Sequence, residues 1–142
     1  MIKVLLVDDH PMVRAGYARL LTQQPGIEVV AEAGNAQEAY QAFVLHGPDV
    51  TITDVSMPGV GGLGLVQKIL MRHAHACLLV CSMYDSAPLV ERVFQTGAKG
   101  FVSKNAQPQD LIKAVHEVYA GRSFNSETQS HQQAKSQQED EV

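Results

Sequence analysis

The sequence predicts an α/β domain, a parallel sheet with helices packed on both faces. Short, apolar-rich runs at Ile2–Val7, Ile27–Ala33, Val50–Thr53, Cys77–Cys81 and Gly100–Val102 have the length and composition of buried strands. Between them lie segments whose apolar residues recur at helical spacing. The two kinds alternate five times, and right-handed crossovers between parallel strands put such helices on both sides of one sheet.

The first strand ends in acid at Asp8-Asp9, and His10-Pro11 opens a helix with proline in the first turn, where its missing N–H costs nothing. Its apolar stripe is Met12, Val13, Tyr17, Leu20 and Leu21, and Pro25-Gly26 stops it. After the second strand, Asn35-Ala36-Gln37-Glu38 is a capping-box-like start for a helix facing inward through Ala39, Tyr40, Phe43 and Val44. Gly47-Pro48 closes it. The third strand runs into Asp54, and a Pro/Gly loop from Met57 to Gly62 precedes a helix bearing Leu63, Val66, Ile69 and Leu70. The fourth strand is followed by a helix from Ser86 to Thr96, stopped by Gly97. The last helix covers about Pro108 to Tyr119, with Leu111, Ile112, Val115, Val118 and Tyr119 on one side. One domain over 1–124 is expected, followed by a Gln-rich polar tail or linker stub over 125–142 with almost nothing to bury.

Composition narrows the function classes. At 45% hydrophobic and 18% charged residues, the 142-residue chain is globular on the scale of one core. The net charge of −4 is concentrated after Asn125, where Lys135 stands against Glu127, Glu139, Asp140 and Glu141. What precedes is near neutral without a Lys/Arg stripe, which disfavours direct DNA binding. No apolar run reaches the ~20 residues of a membrane span and Met1 leads straight into a strand, so a cytoplasmic protein without membrane attachment is expected. Cys77 and Cys81, four apart on one strand, have Cα atoms roughly 13 Å apart, beyond disulfide reach, and read as buried free thiols of a reducing compartment.

In an open parallel sheet the functional crevice lies at the carboxyl ends of the strands. Asp8 and Asp9 end the first strand, Asp54 the third and Ser82 the fourth, and Lys104 follows the fifth. In the flavodoxin-like order 2-1-3-4-5 these side chains meet in one pocket. Three crowded carboxylates call for a cation, and Mg²⁺ suits a site of few carboxylates that leaves positions for phosphate oxygens. A carboxylate nucleophile, a hard metal and a lysine form a phosphoryl-accepting centre, with Asp54 as the nucleophile on the central strand.

Four motifs in order, DDHP at Asp8–Pro11, TDVSMPG at Thr53–Gly59, CSMYD at Cys81–Asp85 and GFVSK at Gly100–Lys104, resemble response regulator receiver domains over about Ile2 to Ser123. DDHP, SMYD and the GRSF after the last helix resemble the NarL/FixJ (LuxR-type) subfamily, whose members usually carry a C-terminal helix-turn-helix. The resemblance implies a two-component switch: a histidine kinase phosphorylates Asp54, and Asp9, Asp54 and the Ser56 backbone carbonyl hold Mg²⁺, with Asp8 acting through water. Lys104 would pair with the phosphoryl group and Ser82 would move towards it. Phe101 would couple the site to the face formed by the fourth helix, fifth strand and fifth helix. It implies no enzyme beyond self-phosphorylation and dephosphorylation, and it allows a homodimer.

Bland readings compete at several positions. Ser82 alone reads as a turn hydroxyl and Phe101 as core, and His10 receives no ligand role from the resemblance. His46, His73, His75, His116 and His131 read as surface, and Met57 and Met83 as packing around the pocket. Ser103 stands where an apolar residue commonly precedes the lysine. An aspartyl-phosphate phosphohydrolase is disfavoured because position 56 is Ser rather than a second acid, and a flavin module because the loop after the first strand is acidic. The output is open between part of a longer transcription regulator, which would reach DNA through the helix-turn-helix, and a stand-alone or truncated receiver acting by protein contacts or as a phosphoryl sink.

Overall fold

The computed structural model describes residues 1–127. Strand β1 (Ile2–Val7) lies between β2 (Ile27–Ala33) and β3 (Val50–Thr53), parallel to both. With β4 (Cys77–Ser82), β5 (Gly100–Ser103) and β6 (Phe124–Asn125) they form a six-stranded sheet ordered β2-β1-β3-β4-β5-β6, every pair parallel. The α/β class and the 2-1-3-4-5 order are as the alternation predicts, with one further strand at the far edge.

Central strands β3 and β5 are buried at every position. One face of the sheet packs Val4, Leu6, Ile52 and Leu79 against helices α1 (Pro11–Thr22) and α5 (Pro108–Tyr119), through Leu21, Leu111 and Val115. The other packs Leu5, Val7, Leu78 and Phe101 against α2 (Ala36–His46), α3 (Gly61–Arg72) and α4 (Ala87–Gln95). The cap expected at Asn35 is present, its side chain accepting the Glu38 N–H at 2.8 Å, while Glu38 turns back to the Gly34 N–H rather than to Asn35. Gly47 ends α2 in the left-handed region at φ 54°, which a side chain would disfavour.

Several expectations are corrected. Residue 125 does not begin a free polar tail: Asn125 pairs with Phe101, and Ser126 is buried. The physical reason is that β5 without β6 would be an edge with unpaired backbone groups, and the backbone of a polar residue satisfies them as well as that of an apolar one. Residues 128–142, the rest of the expected tail, and His131 lie outside the described residues. Met12 on α1, Val44 on α2 and Tyr119 on α5 face out at 89%, 60% and 52% exposure, because the apolar stripes are wider than the strips that touch the sheet. Cys77 is half-buried rather than buried, Cys81 is buried, and both are free thiols. Met57 packs at the core's margin as expected, whereas Met83 is exposed.

Candidate functional site

Strand register brings the acidic residues together. Val7 is paired with Thr53, so Asp8 and Asp54 leave the sheet side by side, held by backbone bonds from Asp8 N to Ala33 O and from Asp54 N to Val7 O. On the other side Ser82 is paired with Ser103, and the Lys104 N–H donates to the Ser82 carbonyl at 2.8 Å, setting the lysine beside the acids.

The Lys104 ammonium donates to Asp8 Oδ2 and to Asp54 Oδ2, each at 2.8 Å, with both carboxylates almost fully buried. Burial works against the charge on Lys104, but the bonds to Asp54 and Asp8 outweigh it and hold the pKa above its ordinary value. The other Asp54 oxygen accepts the Ser56 backbone N–H at 3.3 Å, which sets the Ser56 peptide against the carboxylate. Asp8 accepts the His10 backbone N–H, and its own carbonyl accepts from the Arg14 guanidinium at 2.7 Å.

Asp8, Asp9, His10 and Asp54 offer ligand atoms that all lie within 4.8 Å of one another. Asp9 Oδ1 is buried without a hydrogen-bond partner; His10 Nδ1 stands 2.9 Å away but outside hydrogen-bonding geometry. Three carboxylates against one ammonium leave a formal excess of negative charge, so an orphaned buried oxygen and a charge deficit coincide. A small divalent cation with oxygen ligands fits both.

The sequence-predicted residues therefore divide. Asp8, Asp9, Asp54 and Lys104 converge, with the Ser56 backbone beside them. Ser82 is fully buried and its hydroxyl oxygen is engaged by the Tyr84 N–H at 3.0 Å, apart from the ion-pair network. Phe101 is fully buried in the layer that holds α4. Sequence reasoning missed Gly62: a Cβ there would lie 1.7 Å from the Asp54 carbonyl oxygen, so the bare backbone lets α3 start against the Asp54 peptide. The paired glycines Gly61-Gly62 were the available signal. It also missed the pairing of Cys81 with Tyr17 (Sγ to hydroxyl oxygen 3.7 Å), which joins β4 to α1 beneath the site. Burial pushes the Tyr17 phenol well above its usual value and the Cys81 thiol up to about 11.

Comparison with known proteins decides the family, for the profile described as "Response regulator receiver domain" matches residues 4–116. This chain belongs to the response regulator receiver family. The receiver is 40% identical over 141 residues to the response regulator UvrY of Escherichia coli, covering 99% of this chain and 65% of UvrY. It thus spans less than two thirds of the length of the curated relatives it matches. Among solved structures, a LuxR-family two-component response regulator from Aurantimonas superposes with a TM-score of 0.87 at 36% identity, covering 95% of this chain and 96% of that one. The isolated receiver domain of RcsB from Salmonella enterica serovar Typhimurium, solved with the phosphomimetic BeF₃⁻, matches with a TM-score of 0.83 at 28% identity over 92% of this chain and 96% of that one. RcsB has also been solved as dimers bound to DNA. The NarL/FixJ resemblance read from DDHP and SMYD is supported by these relatives.

Proposed function

We propose that this receiver is a phosphorylation switch in which Asp54 accepts a phosphoryl group from a histidine kinase, or from a small acyl phosphate, with Mg²⁺ bound beside it. What carries the reading is the Lys104 ammonium bridging Asp8 and Asp54 next to a buried oxygen of Asp9 that accepts no hydrogen bond. Asp9, Asp54 and the Ser56 carbonyl would hold the metal directly and Asp8 through water; when bound, it neutralises charge on the phosphoryl oxygens.

The remaining chemistry belongs to the chain. A carboxylate oxygen of Asp54 forms a bond to phosphorus as the P–N bond of phosphohistidine, or the P–O bond of an acyl phosphate, breaks. Lys104 exchanges its bond to Asp54 for one to a phosphoryl oxygen and keeps Asp8. Ser82 gives up the Tyr84 N–H to donate its own hydroxyl to the phosphoryl group, and the space it leaves lets Phe101 repack beneath α4. The protein turns over no other substrate. Dimer formation follows from the altered α4-β5-α5 face, consistent with the dimers of RcsB. No helix among the described residues is long and apolar enough to cross a membrane. Transcriptional output is reached through the helix-turn-helix typical of the subfamily rather than through contacts of residues 1–127 with DNA.

Fluorine NMR with beryllofluoride tests this reading. A bound signal is expected that needs Mg²⁺, disappears with a chelator and is absent from Asp54→Asn. Binding that survives in Asp54→Asn, or none in the wild type, contradicts it.

A further inference from the structure

Ser103 is the residue of the GFVSK motif that the phosphorylation chemistry leaves unexplained. A hydroxyl replaces an apolar side chain at a position only 3% exposed, directly before the catalytic lysine. Its environment accounts for it. Ser103 Oγ donates to Asp85 Oδ2 at 3.1 Å and accepts the Asn105 N–H at 3.1 Å, while the Ser103 backbone N–H donates to Ser126 Oγ at 3.0 Å.

These bonds add side-chain links between the loop after β4 and the segment after β6, which otherwise meet only through the backbone pairing of β5 with β4 and β6. Asp85 belongs to the loop after β4, whose last residue Ser82 holds the Tyr84 N–H through its hydroxyl oxygen. Ser126 follows β6, whose Asn125 is paired with Phe101 and whose Phe124 N–H donates to the Lys99 carbonyl. Beyond the last β6 rung, the Ser126 side chain takes the place of a backbone acceptor for β5. Glu127 next to it is pushed up in pKa by burial and by the negative charge of Asp85. The switch serine holds the Tyr84 N–H, the next residue Asp85 accepts from Ser103, and the Ser103 N–H donates to Ser126, so hydrogen bonds and one step of backbone link Ser82 to the segment after β6.

We infer that Ser103 is a positioning residue that relays the state of the Ser82–Asp85 loop to the segment Phe124–Glu127, so that phosphorylation loosens the exit of the chain from β5. This rests on the phosphorylation reading above. As Ser82 turns to the phosphoryl group the loop shifts, Asp85 withdraws from Ser103, and the hold of Ser126 on the Ser103 N–H weakens. The movement reaches whatever follows residue 127 without passing through α4 or α5, because the bonds lie at the carboxyl end of β5.

Hydrogen exchange on the 142-residue chain, with and without beryllofluoride and Mg²⁺, tests the relay, with fluorine NMR reporting occupancy of the site in the same samples. In the wild type, exchange at Ser103 and over Phe124–Glu127 should quicken roughly fivefold on beryllofluoride binding, the factor for losing about one net hydrogen bond. Asp85→Ala, at an exposed position, should bind beryllofluoride yet exchange fast at these amides from the start, with no further response. Asp85→Asn, which keeps an acceptor for Ser103, should respond as the wild type does. Ser103→Ala should behave like Asp85→Ala. Bound beryllofluoride with unchanged exchange over Phe124–Glu127 in the wild type, or a full response in Asp85→Ala, overturns the relay and leaves the phosphoacceptor standing. Absence of beryllofluoride binding removes both.

Discussion

Gly62 and Asp54 meet backbone to backbone, and no side chain fits between them. Replacing Gly62 by Ala should destabilise the fold by ~1–3 kcal/mol, as overpacking commonly does, and displace the Asp54 peptide; a urea midpoint equal to that of the wild type would count against this contact. Lys104 acts at the same scale by charge. Removing its ammonium in Lys104→Ala should tighten divalent-cation binding about fivefold or more, since unit charges ~4 Å apart interact by ~1 kcal/mol even in water, while lowering the yield of phosphorylated protein. Calorimetric titration with Mg²⁺ would show the opposite trend if Lys104 helped to hold the metal. The converging acids and lysine were legible in the sequence because strand ends of a parallel sheet have a known address. Gly62 and Ser103 showed in the sequence only as a glycine pair and a departure before the lysine; their roles depend on the Asp54 carbonyl, Asp85 and Ser126, partners that no local pattern reveals.

At the scale of elements, the five βα units could be read from apolar runs and caps, since each needs only its own residues to declare itself. The sixth strand could not. Two residues carry no periodicity, and Phe124–Asn125 is a strand only because β5 offers a free edge. Phe124 is 3% exposed, and its truncation to Ala should cost ~3 kcal/mol, the lower end for a buried phenylalanine; a thermal midpoint within error of the wild type would mean that β6 is not docked. The misread faces at Met12, Val44 and Tyr119 have a common cause. Helical periodicity names a stripe but not its width, which is decided by how closely each helix approaches the sheet.

Across the whole molecule, the core beneath the site sets an alkaline limit. Burial raises the Cys81 thiol from 9.0 to about 11, so the unfolded chain ionises first as pH rises. Stability from this group is whole below pH 9.0 and is lost as pH climbs to about 11, on the order of 2–3 kcal/mol at ~1.4 kcal/mol per pH unit. Tyr17, raised from 10.0, and Lys104, raised from 10.5, add their own losses higher still. Unfolding by urea at about pH 8 and about pH 10 should show the fall, with a shallower one in Cys81→Ala; equal slopes in the two proteins would remove Cys81 as the cause.

The central claim concerns Asp54 as a phosphoryl acceptor in a site completed by Mg²⁺. It is tested most directly by intact mass after incubation with acetyl phosphate, in Mg²⁺ and in chelator, for the wild type and Asp54→Asn. The wild type should gain the mass of a single phosphoryl group only with Mg²⁺ present, and Asp54→Asn should gain none. A wild type that stays unmodified in Mg²⁺, or an Asp54→Asn protein that gains the same mass, would contradict it.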